Sequence, residues 1–232
     1  MDNQIETAEK CKGGIITIDD PDYPHVLRDS TMCHPILYYK GQIEKFTEYK
    51  KSIAIVGSRK ASTKSIEIAK STAFDLAKKQ WVIVSGMALG IDSSAHKGAL
   101  EVNGLTIAVL GCGPDIIYPK NSKELYENIS DRGLIISEFP FGTKIEDWKL
   151  RKRNKTIVAA ALGAFVVESS FKGGAMNAVK ACQEQKKKIF TLTSSSTFLA
   201  DSTGNERIQK EIGGKGLNPD KTSIEIETAL SK

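Results

Sequence analysis

Short apolar runs recur along this chain at a spacing that few folds accommodate. They fall at IAIVG (53–57), VIVSG (82–86), TIAVLG (106–111), LIIS (134–137), AFVVES (164–169) and KIFTLT (188–193). Each is β-branched and nearly all apolar, as a strand covered on both faces must be. Helical periods lie between them. Across 62–79, Ile66, Ala69, Ala73, Leu76 and Ala77 share one face while lysines and acids take the other. NSKE at 121–124 carries a capping-box pattern, with Asn121 as N-cap and Glu124 three residues on. Strand and helix alternating in this way predict right-handed crossovers, hence an α/β, doubly wound, mainly parallel sheet with helices on both faces. The 232 residues suffice for one such domain with small appendages. Residues 1–50 read as a short lead-in, where Pro21 and Pro24 forbid a regular helix. Residues 51–216 read as the sheet domain and 217–232 as a short helical tail.

A formal net charge of +5 is compatible with a polyanionic partner, but its placement matters more than its sum. Cys11, Cys33, Cys112 and Cys182 stand singly, with no metal-ligand spacing, as thiols of a reducing compartment do. The N-terminal MDNQIETAEKCKGG has acids where a secretion signal has a basic start, and no stretch reaches the ~20 apolar residues of a membrane span. A cytoplasmic protein without membrane contact is expected.

Glycine-bearing turns follow three of the strands: Gly57-Ser58-Arg59 with Lys60, Ser85-Gly86 running on to Gly90, and Lys172-Gly173-Gly174. In a parallel sheet the carboxyl ends of the strands share one edge, where helix N-termini offer unpaired N–H groups to anions. GSRKAS is neither GxGxxG nor a P-loop, so NAD and ATP fit poorly and no cofactor is called for. A second basic feature is WKLRKRNK, 148–155, in which Trp148 precedes Lys149, Arg151, Lys152, Arg153, Asn154 and Lys155. Such a run is often a solvated helix face. An aromatic beside cations is also what a single nucleic-acid strand needs, one to stack a base and the others to track phosphates. The lysines at 186–188 read as solvated edge. His96 lies among small residues and reads as packed rather than catalytic, Asp92 as the N-cap of its helix, and Glu138 as a strand-end carboxylate able to orient a cation. No nucleophile–base set or carboxylate pair stands out, so the chain reads as a non-enzyme.

GSR at 57–59, SGMALGIDSSAHKGAL at 85–100, TIAVLGCGPDIIYPKNSKEL at 106–125, GLIISEFPFG at 133–142 and RN at 153–154 together resemble the DprA (Smf) family of DNA-processing proteins. The likeness runs from about residue 14 to 214. It implies an extended Rossmann-like fold, single-stranded DNA held in a basic edge pocket, a homodimer, and delivery of the recombinase RecA onto strands taken up in natural transformation. Carried over position by position, it implies site residues Gly57, Ser58, Arg59, Ser85, Gly86, Gly90, Asp92, His96, Arg153, Asn154, Gly173 and Gly174. The chain departs from the family pattern at Trp148-Lys149, where Phe-Pro is usual, and at Lys155, Lys172 and Thr191-Leu192-Thr193-Ser194. Nor does it read as carrying the family's winged-helix-like or helical terminal domains. Two alternatives share the pocket: a nucleotide-binding sensor, and a nucleotide phosphoribohydrolase, whose PGGxGT corresponds to FKGGAMNAVKA here. The hydrolase needs a carboxylate near the sugar, and none follows until Glu184. All readings rest on one geometric expectation, that Arg59, Arg153 and the Gly173 turn meet at a single rim.

Overall fold

Strands that are apolar on both faces need helices on both sides of the sheet, and the chain supplies them. The computed structural model describes residues 2–231. In chain order the elements are α1 (Asp2–Lys10), β1 (Gly13–Thr17), α2 (His25–Arg28), β2 (Ile36–Gly41), β3 (Ser52–Val56), α3 (Thr63–Lys78), β4 (Val82–Ser85), α4 (Ile91–Glu101) and β5 (Thr106–Leu110). They continue as α5 (Lys123–Arg132), β6 (Leu134–Ser137), α6 (Asp147–Ala159), β7 (Gly163–Val166), α7 (Met176–Glu184), β8 (Lys188–Leu192), α8 (Thr203–Arg207), β9 (Lys215–Leu217) and α9 (Thr222–Leu230). Among the described residues the strands form one nine-stranded sheet in the order β1-β2-β6-β5-β4-β3-β7-β8-β9. The β6-to-β9 stretch of that order pairs in parallel, while β1 and β2 join antiparallel at the β6 edge. The expected doubly wound α/β class is what the structure has.

Alternation within β3 shows how the two layers arise. Ile53 and Ile55 pack with Ile68, Ala73 and Ala95 of α3 and α4, while Ala54 and Val56 pack with Ile157 of α6 and Ala178 of α7. The lead-in shares this core: Tyr23, Leu27, Leu37 and Phe46 are fully buried in the α6/α7 layer. The tail docks on α3 through Thr222, whose hydroxyl lies 2.5 Å from that of Thr72. Each expected strand forms, but several stop short of the apolar run, because Gly57, Gly86 and Gly111 already belong to the turns.

Two local expectations need correction. Asn121 does not cap a helix: Pro119 is extended, the chain turns helically from Lys120, and α5 starts after Ser122 without a side-chain cap. The 186–188 lysines are not all solvated. Lys187 Nζ donates to the carbonyls of Val158 (2.8 Å), Ala159 (2.9 Å) and Ala161 (2.7 Å), closing the C-terminal end of α6, and burial lowers its pKa to about 8. Among the described residues no helix is long and apolar enough to cross a membrane.

Candidate functional site

From β3 the chain crosses over to β4 on one side, and from β7 it crosses to β8 on the other, yet β3 and β7 are hydrogen-bonded neighbours. This is a switch point of a doubly wound sheet, where the two following helices diverge and leave a crevice beyond the strand ends. A cleft of about 530 Å³ lies there. It is lined by Gly57, Ser58, Arg59 and Lys60 after β3, by Ser169, Ser170, Lys172, Gly173 and Gly174 after β7, and by one face of α6. The turns far apart in sequence therefore do meet at one rim.

The β3 turn is fixed from beneath. Ser58 N–H donates to the Glu168 carbonyl at 2.8 Å, and the buried Glu168 carboxylate accepts from Ser62 N–H and Oγ, the latter at 3.0 Å. Ser62 in turn caps α3 by accepting from Ser65 N–H at 3.2 Å. With these groups committed, Arg59 and Lys60 face outward. The start of α4 supports the same turn. Gly90 has φ of 79°, and a Cβ there would come within 2.5 Å of the Ser58 carbonyl, so only glycine fits. Gly90, not Asp92, begins that helix. Asp92 sits in its first turn, accepting from Gly86 N–H at 3.2 Å, and burial raises its pKa although Arg153 and nearby amides oppose the shift.

Helical geometry divides the basic run 148–155. Asp147, Leu150, Arg151 and Asn154, at the i, i+3, i+4, i+7 positions of α6, line the cleft. Asn154 reaches across it, donating from Nδ2 to the Gly174 carbonyl at 3.4 Å. Lys149 bonds the Lys144 carbonyl and Glu146, Lys152 pairs with Glu138 at 2.9 Å, and Lys155 pairs with Glu184 at 2.9 Å. Glu138 therefore orients a cation, as its place at the strand end suggests. Trp148 is exposed but lies off the cleft: Nε1 donates to Glu146 at 2.8 Å, and the ring meets Phe139 edge-on with centroids 5.7 Å apart.

Arg153 departs furthest from its expected role. It is 5% exposed, its Nη1 donating to the carbonyls of Gly86 and of Val109, the latter at 2.6 Å. A Cβ on Gly86 would overlap that guanidinium, which explains the glycine. Arg153 thus lines the cleft wall while its guanidinium ties α6 to the ends of β4 and β5. Ser85 is likewise internal, its Oγ donating to the Ile55 carbonyl at 2.6 Å. His96 is fully buried against Thr106, 2.7 Å from Nδ1 to Oγ1, and burial lowers its pKa to about 3, so it stays neutral.

The exposed cations of the cleft are therefore Arg59, Lys60, Arg151 and Lys172, none of which has a carboxylate within 4 Å among the described residues. The N–H groups of Ser170, Lys172 and Gly174 also donate to nothing among the described residues. Unpaired cations and amides converging on one crevice make a receptor for a multiply charged oxyanion. Sequence reasoning missed Ser169, Ser170 and Asn177, and also Asp147 and Leu150, which the helical period counted back from Arg151 and Asn154 would have found.

Comparison with known proteins places this geometry. The sequence pattern of the DNA recombination-mediator protein A family matches residues 14–222. Protein Smf of Synechocystis is 38% identical over 193 residues, covering 82% of this chain and 48% of that protein, so the chain spans about half the length of that relative. The crystal structure of DNA processing protein A from Streptococcus pneumoniae superposes with a TM-score of 0.82 at 30% identity, covering 99% of this chain and 77% of the other. DNA processing protein A from Helicobacter pylori, whose structure was described for its single-stranded DNA binding mode, superposes with a TM-score of 0.80 at 26% identity, covering 95% and 99%. On the match along 14–222, the chain belongs to the DNA recombination-mediator protein A family, that of DprA and Smf.

Proposed function

We propose that the chain binds single-stranded DNA, without chemistry, in the cleft at the β3/β7 switch point. The observation that carries this reading is the set of cations at the rim, Arg59, Lys60, Arg151 and Lys172, held outward by a framework that consumes the neighbouring carboxylates. A strand of sugar-phosphate meets such a rim by charge, without sequence preference. The H. pylori relative's single-stranded DNA binding supports the same reading. Asn154 and the Gly173-Gly174 turn shape the crevice, while Arg153, Asp92, Gly86 and Gly90 hold its walls.

A hydrolase is less well served by this site. Of the carboxylates in or beneath the cleft, Glu168 is engaged by Ser62 and Asp92 is buried with a raised pKa, which leaves Asp147 at the rim. The proposal extends, on family grounds, to a homodimer and to handing the strand to the recombinase RecA during DNA uptake. Anisotropy of a labelled oligo-dT at low salt tests the core of it. Binding of the single strand in preference to duplex is expected; no binding of oligo-dT contradicts the reading.

A further inference from the structure

The cleft supplies cations but no aromatic face: with Trp148 turned to Glu146 and Phe139, no ring among the described residues lines it. Tyr118 borders it in a small side pocket shared with Arg59, Leu150 and Arg153, and Phe171 stands immediately outside on the opposite turn, after β7. Phe171 sits between Ser170 and Lys172, both lining residues, and is 45% exposed. Its position is built. Phe171 N–H donates to Thr203 Oγ1 at 2.8 Å, and that hydroxyl donates to Asp201 at 2.6 Å. Ser169 N–H donates to Asn205 Oδ1 at 3.0 Å, and Gly204 N–H donates back to the Ser169 carbonyl at 2.8 Å. The guanidinium of Arg207, the last residue of α8, lies 4.4 Å from the ring centroid. Arg207 also bonds Glu211 at 3.2 Å, which steadies it over the ring.

A single exposed phenylalanine is ordinary on a protein surface. This one differs in being pinned at its backbone, stacked by an arginine and continuous with the cation row through Lys172. We infer that Phe171, backed by Arg207, is a base-stacking platform for the nucleotide that leaves the cleft past Lys172. A strand whose phosphates follow Arg59, Arg151 and Lys172 has unpaired bases to place, and every base has a π-face that a ring can cover whatever the sequence. An arginine over one face of the ring supplies cation–π attraction and restricts its motion, so less ordering accompanies stacking on the other. The occupant is a nucleobase of a single strand, and the inference rests on the reading of the cleft proposed above.

Two probes separate the two claims: oligo-dT, and an abasic oligodeoxynucleotide of equal length with the same phosphates and no bases. Wild type should bind both, and oligo-dT more tightly. Phe171→Ala should weaken oligo-dT binding about tenfold and leave the abasic probe within about twofold, since stacking is worth ~1–3 kcal/mol per base. Phe171→Trp should restore oligo-dT binding, and Lys172→Ala should weaken both probes. If Phe171→Ala leaves oligo-dT unchanged while Lys172→Ala weakens both, the cleft reading stands and the platform is refuted. Equal weakening of both probes by Phe171→Ala refutes it as well, since the ring would then be shaping the phosphate path. If wild type binds neither probe, the cleft reading fails first and the platform with it.

Discussion

Two clefts border helix α4, and the smaller of them carries the unpaired charge. The crevice at the β3/β7 ends has a volume of about 530 Å³, whereas the groove between α4 and α5 has about 730 Å³. The groove sets Lys97 and Arg132 against Glu101 and Glu124, Glu101 is held by Lys70 at 2.5 Å, and Arg132 bonds Asn103 and Asn128. The crevice opposes Arg59, Lys60, Arg151 and Lys172 with Asp147 alone at its surface. Size therefore does not mark a polyanion site in this molecule. What marks it is a rim where cations have been left unpaired while carboxylates close by are spent on backbone and hydroxyl partners.

The comparison breaks hardest at Arg153, which belongs to the crevice wall and to the core at once. Arg153→Ala should lower stability by about 3–5 kcal/mol, because it strands the carbonyls of Gly86 and Val109 and leaves Asp92 without its nearby cation. Urea denaturation measures this. A variant as stable as wild type that merely binds DNA less well would restore Arg153 to the direct contact role it has in the sequence reading.

The inner face of α4, between the two clefts, makes a smaller prediction. His96 stays neutral in the fold to about pH 3, whereas the unfolded chain protonates it below about 6.5. The unfolded state then binds the extra proton, so the His96 contribution is intact above pH 6.5 and is lost as pH falls toward 3. The slope is up to about 1.4 kcal/mol per pH unit. Stability–pH curves of wild type and His96→Gln should diverge in this window, and parallel curves would mean that the ring is protonated inside the fold.

The sheet and its edge were legible because short all-apolar runs alternating with period-3.6 patterns in residues 52–193 leave little choice of layer, and parallel strands put their turns together. The cation run at 148–155 was legible as charge but not as function. Five basic residues among the seven of 149–155 point in different directions on a helix: Arg151 reaches the crevice, Arg153 the crevice wall and the core, and Lys149, Lys152 and Lys155 carbonyl or carboxylate partners. Trp148 misled for the same reason, one residue off the lining face. Lys187 was misread because a helix C-terminus that needs donors leaves no mark in the neighbourhood of the lysine that serves it. Phe171 carried a weak signal, an aromatic next to a Lys-Gly-Gly turn, whose weight came only from Arg207 arriving from a distant helix.

The most direct measurement is the salt dependence of oligo-dT affinity for wild type, Arg59→Ala and Lys97→Ala, one cation from each cleft. For single strands the logarithm of the binding constant falls with the logarithm of salt by about 0.7 per phosphate neutralised. Arg59→Ala should reduce that slope by about this amount and weaken binding roughly fivefold at low salt, while Lys97→Ala should match wild type in both. Equal losses from the two substitutions, or a loss confined to Lys97→Ala, would contradict the assignment of the phosphate path to the β3/β7 crevice.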